Sequence, residues 1–146
     1  MGVLTDIVLA GTNEAKKVEA SDGPSREFAG IDAKGIDQVR MGTLYAILTS
    51  TEYDPGFMLD EESVIEPDDE DGPWVHIVPQ KMVLLLSKLT DAGIPAVAEE
   101  WGKTEEFQPE YSSWSQEDIL KFQEQIRSLS KKALTDNKTM YMWMCL

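Results

Sequence analysis

The chain of 146 residues carries 27 acidic and 13 basic side chains, which give it a formal charge of −14 at pH 7. Its length and its hydrophobic fraction of 42% suit one folded domain with a substantial core. This charge repels the phosphates of nucleic acids, so we expect no nucleic-acid partner. No apolar run approaches the roughly 18 residues of a membrane span, and the first residues lack a secretory signal, so we expect a cytoplasmic protein without a membrane partner.

Single copies of cysteine and histidine limit the available chemistry. Cys145 alone cannot form an internal disulfide or a multi-cysteine metal site. His76 alone restricts acid–base catalysis and metal binding in the same way. The sequence also contains no phosphate-binding loop and no dinucleotide fingerprint. We therefore expect no cofactor and no metal centre, and we favour a non-enzymatic protein.

The N-terminal part predicts one strand and one short helix. Residues 3–9 are apolar and favour a strand, and Thr12 or Asn13 can cap a helix that extends to Ala20. Residues 21–35 begin with turn-forming side chains and are expected to be irregular.

Residues 38–49 are predicted to form the first long helix. Apolar side chains recur there at i, i+3, i+4 and i+7, which predicts one buried face, and Asp37 can cap the first turn. Gly42 costs on the order of 1 kcal/mol inside a helix relative to alanine. Its presence therefore predicts close packing against a neighbouring element.

Residues from about 60 to 72 are expected to form an acidic loop. Asp60 to Asp71 contains eight acids and no base. An EF-hand alignment on Gly72 puts Pro67 and Val78 where Asp and Glu are needed, so this motif fails. A weak divalent-cation site and a solvated acidic surface both stay open. The loop is the best candidate contact for a basic protein, through Asp68, Asp69, Glu70 and Asp71.

The middle of the chain predicts a strand followed by two helices. Residues 74–78 form the strand, and Pro79 suits the first turn of an apolar helix. Gly93 is expected to end this helix as a left-handed cap, and Pro95 to open a shorter helix that reaches Gly102.

Two groups of side chains are candidates for a binding site. Trp74 and His76 share one strand face, where His76 could act as a base or ligand, although a packed, hydrogen-bonded histidine is favoured. Trp101 and the loop over residues 103–114, which includes Phe107, form an aromatic-rich stretch. Such aromatics either form a binding cleft or pack the loop onto the domain, and packing is favoured. The candidate residues in this stretch are Trp101, Tyr111 and Trp114.

The C-terminal part predicts a long helix and then a strand. Ser115 and Asp118 have the spacing of a capping box for a helix over residues 116–134. In residues 140–146, alternation puts Met140, Met142 and Met144 on one face and Tyr141, Trp143 and Cys145 on the other. Two apolar faces indicate a central strand. A soft-metal site from these sulfur atoms is less favoured than a core strand.

Together these elements predict a single α+β domain over residues 1–146. We expect a small sheet of three or four strands, with the C-terminal strand central and packed by four or five helices. The strands around residues 74–78 and 140–146 should form the centre of the sheet.

The segment from Ile36-Asp37-Gln38 to Ile47-Leu48-Thr49-Ser50 resembles the "ID-x-helix-LLTG" segment of the YfbM-like family of uncharacterised bacterial proteins. The layout of the later elements is similar over about two thirds of the chain. That family tends to carry Trp and His inside this helix, where Arg40 and Gly42 stand here. The resemblance implies an α+β fold and supplies no catalytic residues.

The functional hypothesis is a small acidic module that binds a basic protein, as an immunity protein or inhibitor does. The alternative is an enzyme or small-molecule binder with a pocket near His76 and the Trp101–Trp114 loop. The first predicts salt-sensitive association, whereas the second requires an accessible His76 beside a carboxylate.

Overall fold

Residues 4–58, 64–65, 70 and 72–146 are described by the computed structural model. They form an α+β domain with six α-helices and one antiparallel sheet. The strands are β1 (Leu4–Ala10), β2 (Gly30–Asp32), β3 (Val64–Ile65), β4 (Trp74–Ile77) and β5 (Thr139–Cys145). The helices are α1 (Ala15–Glu19), α2 (Pro24–Glu27), α3 (Gln38–Thr49), α4 (Gln80–Ser87), α5 (Gly93–Gly102) and α6 (Gln116–Thr135), with a 3-10 helix at Glu105–Phe107.

Strand β5 is central, as the sequence predicts. The strand order is β2-β1-β5-β4-β3, and β5 pairs with β1 from Leu4↔Cys145 to Ala10↔Thr139. On its other side β5 pairs with β4 from Trp74↔Met144 to Ile77↔Tyr141. The strand predicted around residues 74–78 is therefore its neighbour in the sheet.

Both faces of β5 are buried, and the predicted alternation is confirmed. Met140, Met142 and Met144 lie in the larger core, together with apolar side chains of α3, α4, α5 and α6. Tyr141 and Trp143 lie in a smaller core on the opposite face, which includes Val18 of α1. The sheet is therefore the middle layer of the domain.

Helix α3 has the predicted boundaries and cap. The backbone N–H of Arg40 donates to Asp37 Oδ1 at 2.9 Å, which satisfies one free donor of the first turn. A Cβ atom on Gly42 would lie 2.6 Å from Cε2 of Tyr53. The close packing predicted for this glycine is therefore confirmed.

Helix α6 begins with the predicted capping box. The N–H of Asp118 donates to Ser115 Oγ at 3.1 Å, and the N–H of Ser115 donates to Asp118 Oδ2 at 2.8 Å. The helix extends to Thr135, one residue beyond the predicted end. None of the described helices is both long and apolar enough to cross a membrane.

The sequence interpretation is wrong for residues 21–35, which were expected to be irregular. They contain α2 and β2, and both are fixed by contacts distant in sequence. The N–H of Ser25 in α2 donates to the carboxylate of Asp6 at 2.9 Å, and Ile31 in β2 pairs with Ile7. Together with β3, which lies in the segment predicted as an acidic loop, they bring the described residues to six helices and five strands rather than four or five helices and three or four strands.

Gly93 is not the left-handed cap of α4. That helix ends earlier, at Ser87, and Gly93 is the first residue of α5. The N–H of Gly93 donates to Thr90 Oγ1 at 2.9 Å and to Thr90 O at 3.0 Å. Helix α5 therefore begins at Gly93, two residues before Pro95, where the sequence predicts its start.

Candidate protein-binding surface

The side chain of Arg40 connects α3 to the loop over residues 103–114. Its Nη1 donates to Asp37 Oδ2 at 2.8 Å, and its Nη2 donates to the carbonyl oxygens of Glu106 at 2.6 Å and Tyr111 at 3.0 Å. The guanidinium carbon lies 5.3 Å from the ring centroid of Phe107. Because Arg40 is only 9% exposed, these contacts are shielded from water and fix the loop backbone.

Trp101 attaches the same loop to the core. It is fully buried, and its Nε1 donates to Arg40 O at 3.0 Å and Thr43 Oγ1 at 3.1 Å. Its ring meets Phe107 edge-to-face, with centroids 4.7 Å apart. Trp101 therefore has a structural role in the domain.

Trp114 fixes the end of the loop. Its Nε1 donates to Lys34 O at 3.0 Å, and its ring lies 5.6 Å from that of Phe122 in α6. The predicted packing of this aromatic loop onto the domain is confirmed for Trp101 and Trp114.

Tyr111 differs from both tryptophans because its contact with Arg40 is made by its backbone carbonyl rather than by its side chain. Its side chain is 59% exposed, and it follows the exposed Glu110. A cleft of about 460 Å³ lies beside it, lined by Asp37, Val39, Arg40, Glu105 and Glu106. We call Asp37, Val39, Glu105, Glu106, Glu110 and Tyr111 the Tyr111 surface. Among the described residues that line this 460 Å³ cleft, Arg40 is the single cation, and the four carboxylates of the Tyr111 surface outnumber it.

A larger cleft of about 660 Å³ lies between the β2–α3 connection, residues 111–114 and α6. Lys34, Arg40 and Lys121 contribute positive charge to it, and Asp32 and Asp118 contribute negative charge. The backbone N–H of Ser115 donates to the carboxylate of Asp118, and this bond, with the contact of the Ser115 hydroxyl, holds the pKa of that carboxyl below its ordinary value of 3.8. This cleft is therefore polar and of mixed charge, unlike the acidic Tyr111 surface.

His76 and Trp74 lie apart from these clefts. His76 is 4% exposed on β4, and the side-chain amide of Gln38 donates to its Nε2 at 3.2 Å. Trp74 is half-buried and packs against the larger core. The interpretation of His76 as a packed, hydrogen-bonded residue is confirmed. Among the described residues, neither His76 nor Trp74 lines either of these two clefts beside Tyr111, so the two predicted groups do not meet in them.

The acidic loop contributes little to the described surface. Asp68, Asp69 and Asp71 lie outside the described residues, and Glu70 is exposed. Within the part of the chain that is described, no three His, Cys, Asp or Glu side chains are grouped to hold a metal ion.

Sequence reasoning missed Arg40 and three acidic residues of the Tyr111 surface, Glu105, Glu106 and Glu110. In the sequence, Arg40 is distinguished only as a departure from the family pattern, although it follows Asp37 by three positions and precedes the buried Met41. The spacing of Asp37 and Arg40 predicts only their local ion pair, because the loop carbonyls that accept from Arg40 lie 66 and 71 positions away.

Comparisons with known proteins give no indication of function, so the function is argued from the geometry above. No protein-family model matches the chain, and no curated protein or solved structure matches it. The resemblance to the YfbM-like family therefore stays a prediction.

Proposed function

We propose that this protein is a non-enzymatic module that binds a basic protein through the Tyr111 surface. The observation that carries the proposal is the exposed Tyr111 side chain, which stands among carboxylates on a loop fixed by Arg40. Tyrosine is enriched among the residues that dominate binding energy. A loop whose backbone is already ordered loses less conformational entropy on binding. An inhibitor or immunity-like role against a basic protein fits both properties.

Charge supports the same partner class. The formal charge of −14 attracts a cationic protein from a distance, and Glu105, Glu106 and Glu110 would meet its basic side chains at the contact. Most of these carboxylates are exposed, so salt should screen them and slow association.

Affinity capture with matched variants tests the proposal. Immobilised wild-type protein is compared with Tyr111→Ala and with a Glu105→Lys/Glu110→Lys double variant. The control is Asp22→Lys/Glu27→Lys, which makes the same charge change at exposed positions in and beside α2. We expect the wild type and the control to capture the same basic protein, and Tyr111→Ala to weaken its binding at least about tenfold.

The salt dependence provides the second readout. The dissociation constant of the captured protein should rise strongly between 50 and 300 mM NaCl. The proposal fails if no basic protein is captured, or if Tyr111→Ala and the Tyr111-surface double variant bind it as well as the control does.

A small molecule is the second candidate ligand, supported by the larger cleft. Its volume of about 660 Å³ lies in the usual range of ligand sites, and the ring of Trp114 forms one wall. A thermal-shift screen of polar metabolites tests it, with Lys34→Ala/Lys121→Ala as the comparison. A ligand that stabilises the wild type but not this variant supports binding in this cleft.

A further inference from the structure

Strand β2 is an edge of the sheet, and one side of its backbone faces no described strand. β2 pairs with β1 through Ile31↔Ile7, and the flanking bonds run from Leu9 N–H to Ala29 O and from Ala33 N–H to Thr5 O, each 2.8 Å. In an antiparallel pair, alternate residues turn their N–H and C=O groups toward the neighbour. The N–H and C=O groups of Gly30 and Asp32 therefore point away from β1.

A groove accompanies this edge. It has a volume of about 460 Å³, with residues 29–31 on one wall and Glu124, Gln125, Ser128, Leu129 and Lys132 of α6 on the other. We call it the β2–α6 groove. At 1.5 Å per residue, α6 covers about 12 Å from Glu124 to Lys132, which equals about four residues of extended chain. Gln125 also lines the larger cleft, so a longer segment has room to continue there.

We propose that the β2–α6 groove binds an extended, weakly charged peptide segment of a partner protein, which adds to β2 as a further strand. Gly30 and Asp32 together offer two backbone donors and two acceptors spaced for an antiparallel or parallel strand. Gly30 and Ala29 are exposed and carry little or no side chain, so an incoming backbone can approach.

Charge indicates what kind of peptide fits. Glu124 and Lys132 are the charged side chains of the groove lining, and they offset each other. Recognition at this edge therefore depends on backbone pairing rather than on net charge. A second copy of the chain is disfavoured as the occupant because two whole molecules of −14 repel each other, whereas a weakly charged segment meets no such repulsion in the groove. This site differs from the Tyr111 surface, and its affinity for the partner peptide should depend little on salt concentration.

The probe is a phage-displayed library of random decapeptides selected against the wild-type protein, with the best binder then synthesised. Asp32→Pro removes the outward N–H and is tolerable at an edge strand, whereas Asp32→Ala keeps the N–H. Both variants lose the bond from Lys34 N–H to Asp32 Oδ1, so they are matched in that respect. We expect Asp32→Pro to weaken binding at least tenfold and Asp32→Ala to change it less than threefold.

Three further measurements test the proposal even if Asp32→Pro disturbs the fold. Peptide binding should slow hydrogen exchange at the Gly30 and Asp32 amides, and N-methylation of alternate peptide residues should abolish binding. Affinity should change less than threefold between 50 and 500 mM NaCl. The proposal is overturned if no peptide is enriched, or if Asp32→Pro retains both its native circular dichroism and its binding. It is also overturned if the free protein dimerises through β2, with the dimer detected by sedimentation.

Discussion

At the scale of single residues, Arg40 is the connection on which the candidate surface depends. Arg40→Met removes an ion pair and leaves the carbonyls of Glu106 and Tyr111 without their donor. We expect the free energy of unfolding to fall by about 2–4 kcal/mol, measured by urea denaturation. Arg26→Met, at an exposed position of α2, is the control and should change it by less than about 0.5 kcal/mol. Equal stability of the two variants would contradict the role of Arg40.

Gln123 presents the opposite case. It is fully buried in α6, and neither atom of its amide has a hydrogen-bond partner among the described residues. Gln123→Met keeps the length of the side chain and removes the polar group. We expect stability to rise by about 1–3 kcal/mol, while the exposed Gln125→Met should have little effect. A lower urea midpoint for Gln123→Met would show that the amide is satisfied.

At the scale of elements, the capping box of α6 should make stability depend on pH. The pKa of Asp118 is below 3.8 in the folded protein, so its contribution is present above the unfolded value and is lost as pH falls through the folded value. The stability difference between wild type and Asp118→Ala should therefore be constant near neutral pH and shrink below about 3.8. Nuclear magnetic resonance titration of Ser115→Ala should show the pKa of Asp118 rising toward 3.8.

The elements predicted correctly are those with local signals. Asp37 and the apolar repeat define α3, Ser115 and Asp118 define the start of α6, and alternation defines β5. The short elements α2 and β2 were missed because their positions are set by Asp6 and Ile7, which lie on another strand. Physical contact between distant segments decided these elements, and no local pattern encodes it.

Part of the candidate site could also be predicted from a local signal and part could not. Trp101, Tyr111 and Trp114 could be named because they form an aromatic-rich stretch of the sequence. The acceptors of Arg40 lie 66 and 71 positions away, so its connecting role could not be predicted from a sequence pattern. Whether His76 lies near this loop also depends on the tertiary fold, which a sequence pattern does not show. In the structure His76 instead forms a hydrogen bond with Gln38.

At the scale of the whole molecule, β5 holds the two halves of the sheet together. Removing residues 138–146 leaves β1 and β4 without their common neighbour and exposes both cores. We expect no cooperative unfolding transition and no near-ultraviolet circular dichroism signal. Removing only Leu146, which lies beyond β5 and is 60% exposed, should change stability by less than about 0.5 kcal/mol. A cooperatively folded truncation at Asn137 would mean that the core lies elsewhere.

The pairing of β1 with β5 places the first and last strands side by side, so a circular permutant of the chain can be designed. The hydroxyl of Tyr141 donates to the carbonyl of Gly11, 130 positions away, and Leu4 is opposite Cys145. Closing a loop of about 130 residues costs about 3 kcal/mol more entropy than closing one of about four. A circular permutant that joins residue 146 to residue 1 by a short linker, and opens in the exposed segment 51–56, turns this distant pair into a hairpin. It should keep the fold and refold faster in stopped-flow measurements, because its central contact has become local.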